Sequence, residues 1–210
     1  AYDYIRKKIV LNEFQPNKPI DLEVLSAELS MSKTPIREAI KRLEANKFVE
    51  VNPSIGVVTK KLDLNELEQY VLIRRELESL ATELAALNMT GSTLKKLRKY
   101  LSEMEILTEN NNPDDYTIIN EKFHLTIYKA SNSPILYNLI KDLWDKSERT
   151  KLVFSFFPER FKQSNMEHKE LLETFENADA KKAREIMYIQ KTKGFLSVIK
   201  KLKEIEELRI

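Results

Sequence analysis

Residues 32–44 read SKTPIREAIKRLE, and the way this stretch folds decides what the first part of the chain is. At 100° per residue, Ile36, Ala39, Ile40 and Leu43 gather on one side of a helix. Lys33, Arg37 and Lys41, spaced by four, align along another side, with Thr34 beside them and Glu38 and Glu44 at its margins. Pro35 does not break that helix. With Thr34 as N-cap it is the first helical residue, where its missing N–H has no intrahelical partner to lose. If the helix starts after Ser32, Pro35 is still in the first turn. In both cases Lys33 and Thr34 stand at an electropositive helix start. One apolar face and one basic, hydroxyl-bearing face suit the major groove of DNA, where Lys and Arg reach phosphates or guanine edges. A solvated surface helix would carry the same charges, so the neighbouring segments have to decide.

Upstream, Tyr2, Ile5, Ile9 and Phe14 lie near one face of a short helix over 2–13, which QPNKP ends. Asp21 is placed to cap a second helix, with Val24, Leu25 and Leu29 inward. SMSKT is a tight connection into the third helix. Downstream, FVEV and VVTK flank NPSIG, two β-branched runs around a Pro/Gly turn and so a hairpin. Three helices followed by a small hairpin describe a winged helix-turn-helix.

The rest reads as helix throughout. DLNE at 63–66 is a capping box that opens a long helix to about Asn88, placing a domain boundary near Leu62. Further helices start near Thr90, at Asn112-Pro113, at Ser133-Pro134 (running through Trp144 to about Phe156), at Pro158 and at Asp179. The expected architecture is mainly α: a winged helix-turn-helix over 1–62 and an antiparallel six-helix bundle over 63–210.

Composition limits the function. The 210 residues are 42% hydrophobic and 32% charged, with three glycines and no cysteine. A packed helical core is feasible, while disulfides, thiolate metal sites and a cysteine nucleophile are excluded. Net charge is +2. Residues 1–62 hold 11 Lys/Arg against 8 Asp/Glu, and residues 63–210 hold 24 against 25. That mild asymmetry means any DNA binding depends on where the charges sit. No apolar run reaches membrane-spanning length and no signal-peptide pattern opens the sequence, so the expected setting is the cytoplasm with no membrane partner. There is no Gly-rich phosphate loop and no Ser-His-Asp arrangement. An enzyme would have to be a metal hydrolase built on the two histidines, His124 and His168. A pure interaction module is the other alternative, and it would not need the basic stripe and wing.

The run ELSMSKTPIREAIKRLEANKFVEVNPSIGVV resembles the winged helix-turn-helix of the GntR family of bacterial transcription regulators. Ser32, Lys33, Thr34, Pro35, Ile36, Arg37, Glu38, Ala39, Arg42, Leu43, Glu44 and the wing Gly56 match its pattern. The resemblance implies DNA contacts from Ser32, Lys33, Thr34, Arg37 and the wing around Gly56. Pro35, Lys41 and Arg42 complete the candidate surface. The sequence departs from the family in having Ser30 and Asn17 where glycine is usual, Leu22 where Glu is typical, and Lys33 where Arg is common. Lysine cannot make the bidentate fork to guanine that arginine does.

IRRELESLATELAA, NEKFHLTIYKASNSPIL and EHKELLETF resemble the FadR-type branch, with its FCD effector domain. That branch often holds a divalent metal, zinc or similar, on an Asp and three His, and the metal helps bind a carboxylate effector. The matching positions here are Asn120, His124, His168 and Gln190, so two of the four ligands have become neutral amides, which bind metals weakly. Three readings stay open: a metal on His124, His168 and Asn120, a polar patch in the bundle core with no effector, or a pocket that binds an effector directly. By resemblance Arg74 would pair with the effector carboxylate; by spacing it would pair with Glu78 on the helix surface. Arg149 lies downstream of Trp144 as a further inward candidate. The resemblance implies a homodimer on a palindromic double-stranded operator, whose affinity a small-molecule effector controls. The effector and the sign of regulation, repressor or activator, are not legible.

Overall fold

A computed structural model of the chain describes all residues except 11–12, 15–17, 47, 60–62, 148–156, 158–159 and 208–210. The chain divides into two compact units, Ala1–Leu67 with Lys203–Ile210, and Glu68–Leu202.

In the first unit α1 spans Tyr2–Val10, α2 Leu22–Leu29 and α3 Lys33–Ala45, followed by β1 Val49–Asn52 and β2 Gly56–Thr59. Both α1 and α2 pack against α3. Ile36, Ala39, Ile40 and Leu43 are buried as their spacing requires, with Ile5, Ile9, Leu25 and Phe48 around them. Each of the fully buried Ile and Leu side chains contributes about 1.5–3 kcal/mol. Asp21 caps α2, its carboxylate accepting from the N–H groups of Glu23 and Val24. Val24 points outward, contrary to the sequence reading, because Leu22, Leu25 and Leu29 share the face that meets α3 and Val24 lies off it. α2 ends at Ser30, which takes the left-handed conformation (φ 50, ψ 39) that glycine usually fills. The strands pair antiparallel in register Val49↔Thr59 to Asn52↔Gly56. Asn52 closes the turn, its side chain accepting from Ser54 N–H at 2.9 Å. Gly56 follows with φ +99, a value that strains any other residue.

In the second unit α4 spans Leu64–Leu87, α5 Gly91–Glu109, α6 Pro113–Ala130, α7 Pro134–Lys146, α8 Arg160–Glu176 and α9 Ala180–Glu207, with α4 and α9 each extending past the unit's limits. These are six helices among the described residues. Asn112 and Ser133 are N-caps with proline directly after each. α7 ends at Lys146 rather than near Phe156, with Ser147 as its C-cap. The stretch beyond it, with Arg149, Phe154, Phe156 and Pro158, lies outside the described residues. α5 packs on α6 and α8, and α6 on α7. Tyr116, Phe123, Ile127, Leu171 and Met187 are among the fully buried core side chains.

Candidate functional site

The first unit presents the face read from SKTPIREAIKRLE. The N-cap of α3 is Ser32, not Thr34, so Pro35 is the third helical residue, and the Ser32 side chain makes no capping hydrogen bond. Its hydroxyl and the first-turn N–H groups are thereby left for an anion such as a phosphate. Ser32, Lys33, Thr34, Arg37 and Lys41 are all exposed, directly opposite or flanking the buried stripe. Lys33 pairs with Glu23 of α2 at 2.5 Å, both side chains largely in solvent, so the pair is weak and a phosphate can replace it. Arg42 sits on the flank of this face, its guanidinium 4.2 Å from the centre of the Tyr2 ring. Asn46 donates to the Tyr2 hydroxyl at 2.8 Å. Arg42 thus touches α1 while remaining exposed. The wing tip exposes Ile55, and Gly56 shapes the turn behind it.

The second unit gathers a buried polar cluster around Glu78 of α4. Its carboxylate is fully buried. Oε1 accepts from Arg74 Nε at 2.8 Å and from Trp144 Nε1 at 2.7 Å. Oε2 accepts from the Tyr128 hydroxyl at 2.6 Å and pairs with Lys191 Nζ at 3.0 Å. Arg74 also donates to Ser147 Oγ at 2.7 Å and lies between the Trp144 and Phe195 rings, 5.0 Å from each centre. The Arg74–Glu78 spacing was legible, but the pair is buried, not on the surface. Burial alone would raise the Glu78 carboxyl; Lys191, Arg74, Tyr128 and Trp144 together hold it down at about 2. Burial pushes Lys191 down, against the pull of Glu78.

The two histidines lie beside this cluster. His124 Nε2 and His168 Nε2 are 3.3 Å apart, and His124 Nδ1 is 3.4 Å from the Tyr128 hydroxyl. Tyr128 gives its proton to Glu78, so its oxygen accepts from His124 Nδ1–H. His124 Nε2 then accepts from His168 Nε2–H, and His168 Nδ1 is left as an acceptor. Both rings are neutral: burial pushes His124 well below its ordinary value, with Lys191 next in effect, and burial then Lys191 and Arg160 bring His168 to about 3. His168 Nδ1, Asn120 Oδ1 and both amide atoms of Gln190 are buried with no hydrogen-bond partner among the described residues. Buried polar atoms are seldom left so, and these four lie on residues at positions where the resemblance places ligands.

A 3.3 Å gap would by itself suit two imidazoles on one tetrahedral ion, whose N–N edge is about 3.3 Å. The rest of the donor set does not fit a divalent cation. Asn120 and Gln190 are neutral amides, and the nearby carboxylate, Glu78, is already bound to Arg74 and Lys191. Among the described residues no group of three or more His, Cys, Asp or Glu could hold a metal ion.

Sequence reasoning missed Lys191, Tyr128, Trp144 and Ser147. A signal for Lys191 existed: it lies four residues from both Met187 and Phe195, on the buried stripe of α9.

Comparison with known proteins agrees with both units. Residues 1–58 match the family model described as bacterial regulatory proteins, gntR family, and residues 69–189 match the FCD domain. The HTH-type transcriptional regulator McbR of Escherichia coli (strain K12) is 30% identical over 140 residues, 67% of this chain and 63% of that protein. The HTH-type transcriptional repressor RspR of the same strain is 23% identical over 150 residues, 71% of this chain and 66% of that one. The matched stretch thus spans just under two thirds of either relative. A solved structure of E. coli McbR/YncC has the same fold, with TM-score 0.70 at 23% identity, covering 95% of each chain.

Proposed function

Because the chain belongs to the GntR family, in the branch that carries an FCD domain, we propose that it is a DNA-binding transcription regulator. Its operator affinity is set by a small-molecule effector held in the helical unit. The observation that carries the DNA half is the exposed face of Ser32, Lys33, Thr34, Arg37 and Lys41 over a fully buried stripe, beside a glycine-shaped wing. Arg37 and Lys41 reach phosphates or guanine edges, and Ser32 and Thr34 bind phosphate oxygens at the helix start. The partner is double-stranded DNA, in the cytoplasm. A homodimer would read a palindromic operator whose half-sites lie about one helical turn apart.

The effector half rests on the four unpartnered polar atoms and on Arg74, buried beside them. An effector that binds one arrangement of the bundle better than another shifts the population of DNA-binding states by its differential affinity. A hydrolase on His124 and His168 is not adopted, since their Nε2 atoms face one another and no third strong ligand joins them.

Selection of genomic fragments by the full chain tests the reading. Enrichment of short two-fold-symmetric sites, lost when Arg37 and Lys41 are both replaced by Ala, is the expected result. Fragments enriched without common sequence, or equally by the double variant, would contradict it.

A further inference from the structure

Glu23 is the acidic residue that α2 turns toward the recognition helix. The Asp21 carboxylate is occupied by the N–H groups of Glu23 and Val24. Glu28 accepts from Tyr4 and Lys8 of α1, at 3.0 and 2.9 Å. Glu23 instead accepts from Lys33 Nζ through Oε1, at 2.5 Å. The backbone is fixed on both sides of this pair. Glu23 is the second residue of α2, behind its Asp21 cap, and Lys33 is the first residue of α3. Between the helices, Met31 N–H donates to the Ser26 carbonyl at 3.1 Å and Ser26 Oγ donates to the Met31 carbonyl at 2.5 Å. The Glu23 and Lys33 side chains are 77% and 48% exposed. The pair therefore stands in solvent beside the face that Lys33 shares with Arg37 and Lys41.

A carboxylate at this place is unfavourable toward a phosphate. A phosphate that drew Lys33 away would stand next to a like charge left without its partner. A base edge is different. In the major groove a G·C pair offers guanine N7 and O6 as acceptors and, beside them, the cytosine N4 amino group as a donor. Lysine has three N–H donors and no acceptor, and ionised glutamate only accepts. Lys33 can donate to N7 and O6 and keep its third N–H on Glu23, whose other oxygen accepts from the N4 amino group.

We propose that Glu23 is a specificity-determining residue, which together with Lys33 reads one G·C base pair in each half-site, Lys33 on the guanine and Glu23 on the cytosine. The proposal rests on the DNA-binding reading and deepens it. A lone lysine lacks the directional fork of an arginine; held by Glu23, it presents donor and acceptor in a fixed order. In the reversed C·G pair and in A·T, an amino group meets Lys33 and an acceptor oxygen meets Glu23. T·A keeps the order but puts the thymine methyl where N7 stood.

The test selects sites from a random double-stranded library with the full chain, with Glu23→Ala and with Lys33→Ala. Affinity is then measured for the selected operator with the base pair in question changed to each of the other three. Both side chains are exposed, so neither substitution touches the core. The unmodified chain should require G·C at one position of each half-site, each change weakening binding about fivefold or more. Both variants should lose that preference at the same position and keep the rest of the site. Tighter binding of all sequences by Glu23→Ala, with a steeper salt dependence, would overturn the proposal, because the carboxylate would then only shield Lys33 from phosphates. A preference kept by Glu23→Ala, or lost by the two variants at different positions, would overturn it equally. Should Lys33→Ala select nothing, Glu23→Ala decides alone. If the unmodified chain selects no common site, the DNA-binding reading itself fails.

Discussion

Replacing Glu78 by Gln tests the buried cluster most severely. The variant keeps the size of the side chain and an acceptor for Tyr128 and Trp144, but it removes the one charge that Arg74 and Lys191 share. Two routes give the cost. The carboxyl is held at about 2 against an ordinary 4.5, and at about 1.4 kcal/mol per unit this is about 3 kcal/mol of stability at neutral pH. Independently, breaking a buried ion pair by deleting one partner costs about 3–5 kcal/mol. For a chain of this size the loss lowers the unfolding midpoint by roughly 6–20 °C. Trp144 is the single tryptophan and donates to Glu78, so its fluorescence reports the unfolding of this unit directly. Adding Lys191→Met to Glu78→Gln should return part of the loss by removing one uncompensated cation. A Glu78→Gln protein within about 1 kcal/mol of the original in urea unfolding would refute the ionic account, as would a double variant less stable than the single one.

The histidines set the acid limit. Their folded-state values lie below the ordinary 6.5, His168 at about 3, so between those limits the unfolded chain binds more protons. Stability is then complete above pH 6.5 and declines as pH falls toward 3; urea unfolding across that range should show it, and a flat profile would contradict buried neutral rings. Ser30→Gly removes the left-handed strain at the α2 C-cap and should stabilise the first unit by about 1 kcal/mol, read as slower hydrogen exchange in α2 and α3; unchanged or faster exchange would count against the cap assignment. Arg42→Ala removes the contact with Tyr2 and should leave the salt dependence of DNA binding unchanged; a shallower slope would return Arg42 to the DNA face.

The recognition helix was legible because its faces are set by periodicity within thirteen residues, and Ile36, Ala39, Ile40 and Leu43 are buried as the spacing requires. Its start was less so: Ser32 and Thr34 are both good caps, and only backbone geometry separates them. Val24 was misread because a helix of eight residues gives too few turns to fix its inward face. The cluster in the second unit was half visible. Resemblance located Asn120, His124, His168 and Gln190, and spacing located Arg74 with Glu78. Neither showed that Glu78 binds four donors, because these come from four helices whose packing no local pattern encodes. Lys191 sits among other lysines in a stretch that composition reads as solvated, and only the register of α9 reveals its burial.

The central claim is that α3 reads DNA through Arg37, and the salt dependence of operator binding tests it most directly. Fluorescence anisotropy of a selected operator, titrated with the unmodified chain and with Arg37→Ala over a range of salt, gives the slope of log affinity against log salt for each. The account predicts weaker binding by Arg37→Ala, with a slope shallower by about one per recognition helix. Equal affinity and equal slope for the two proteins would contradict it.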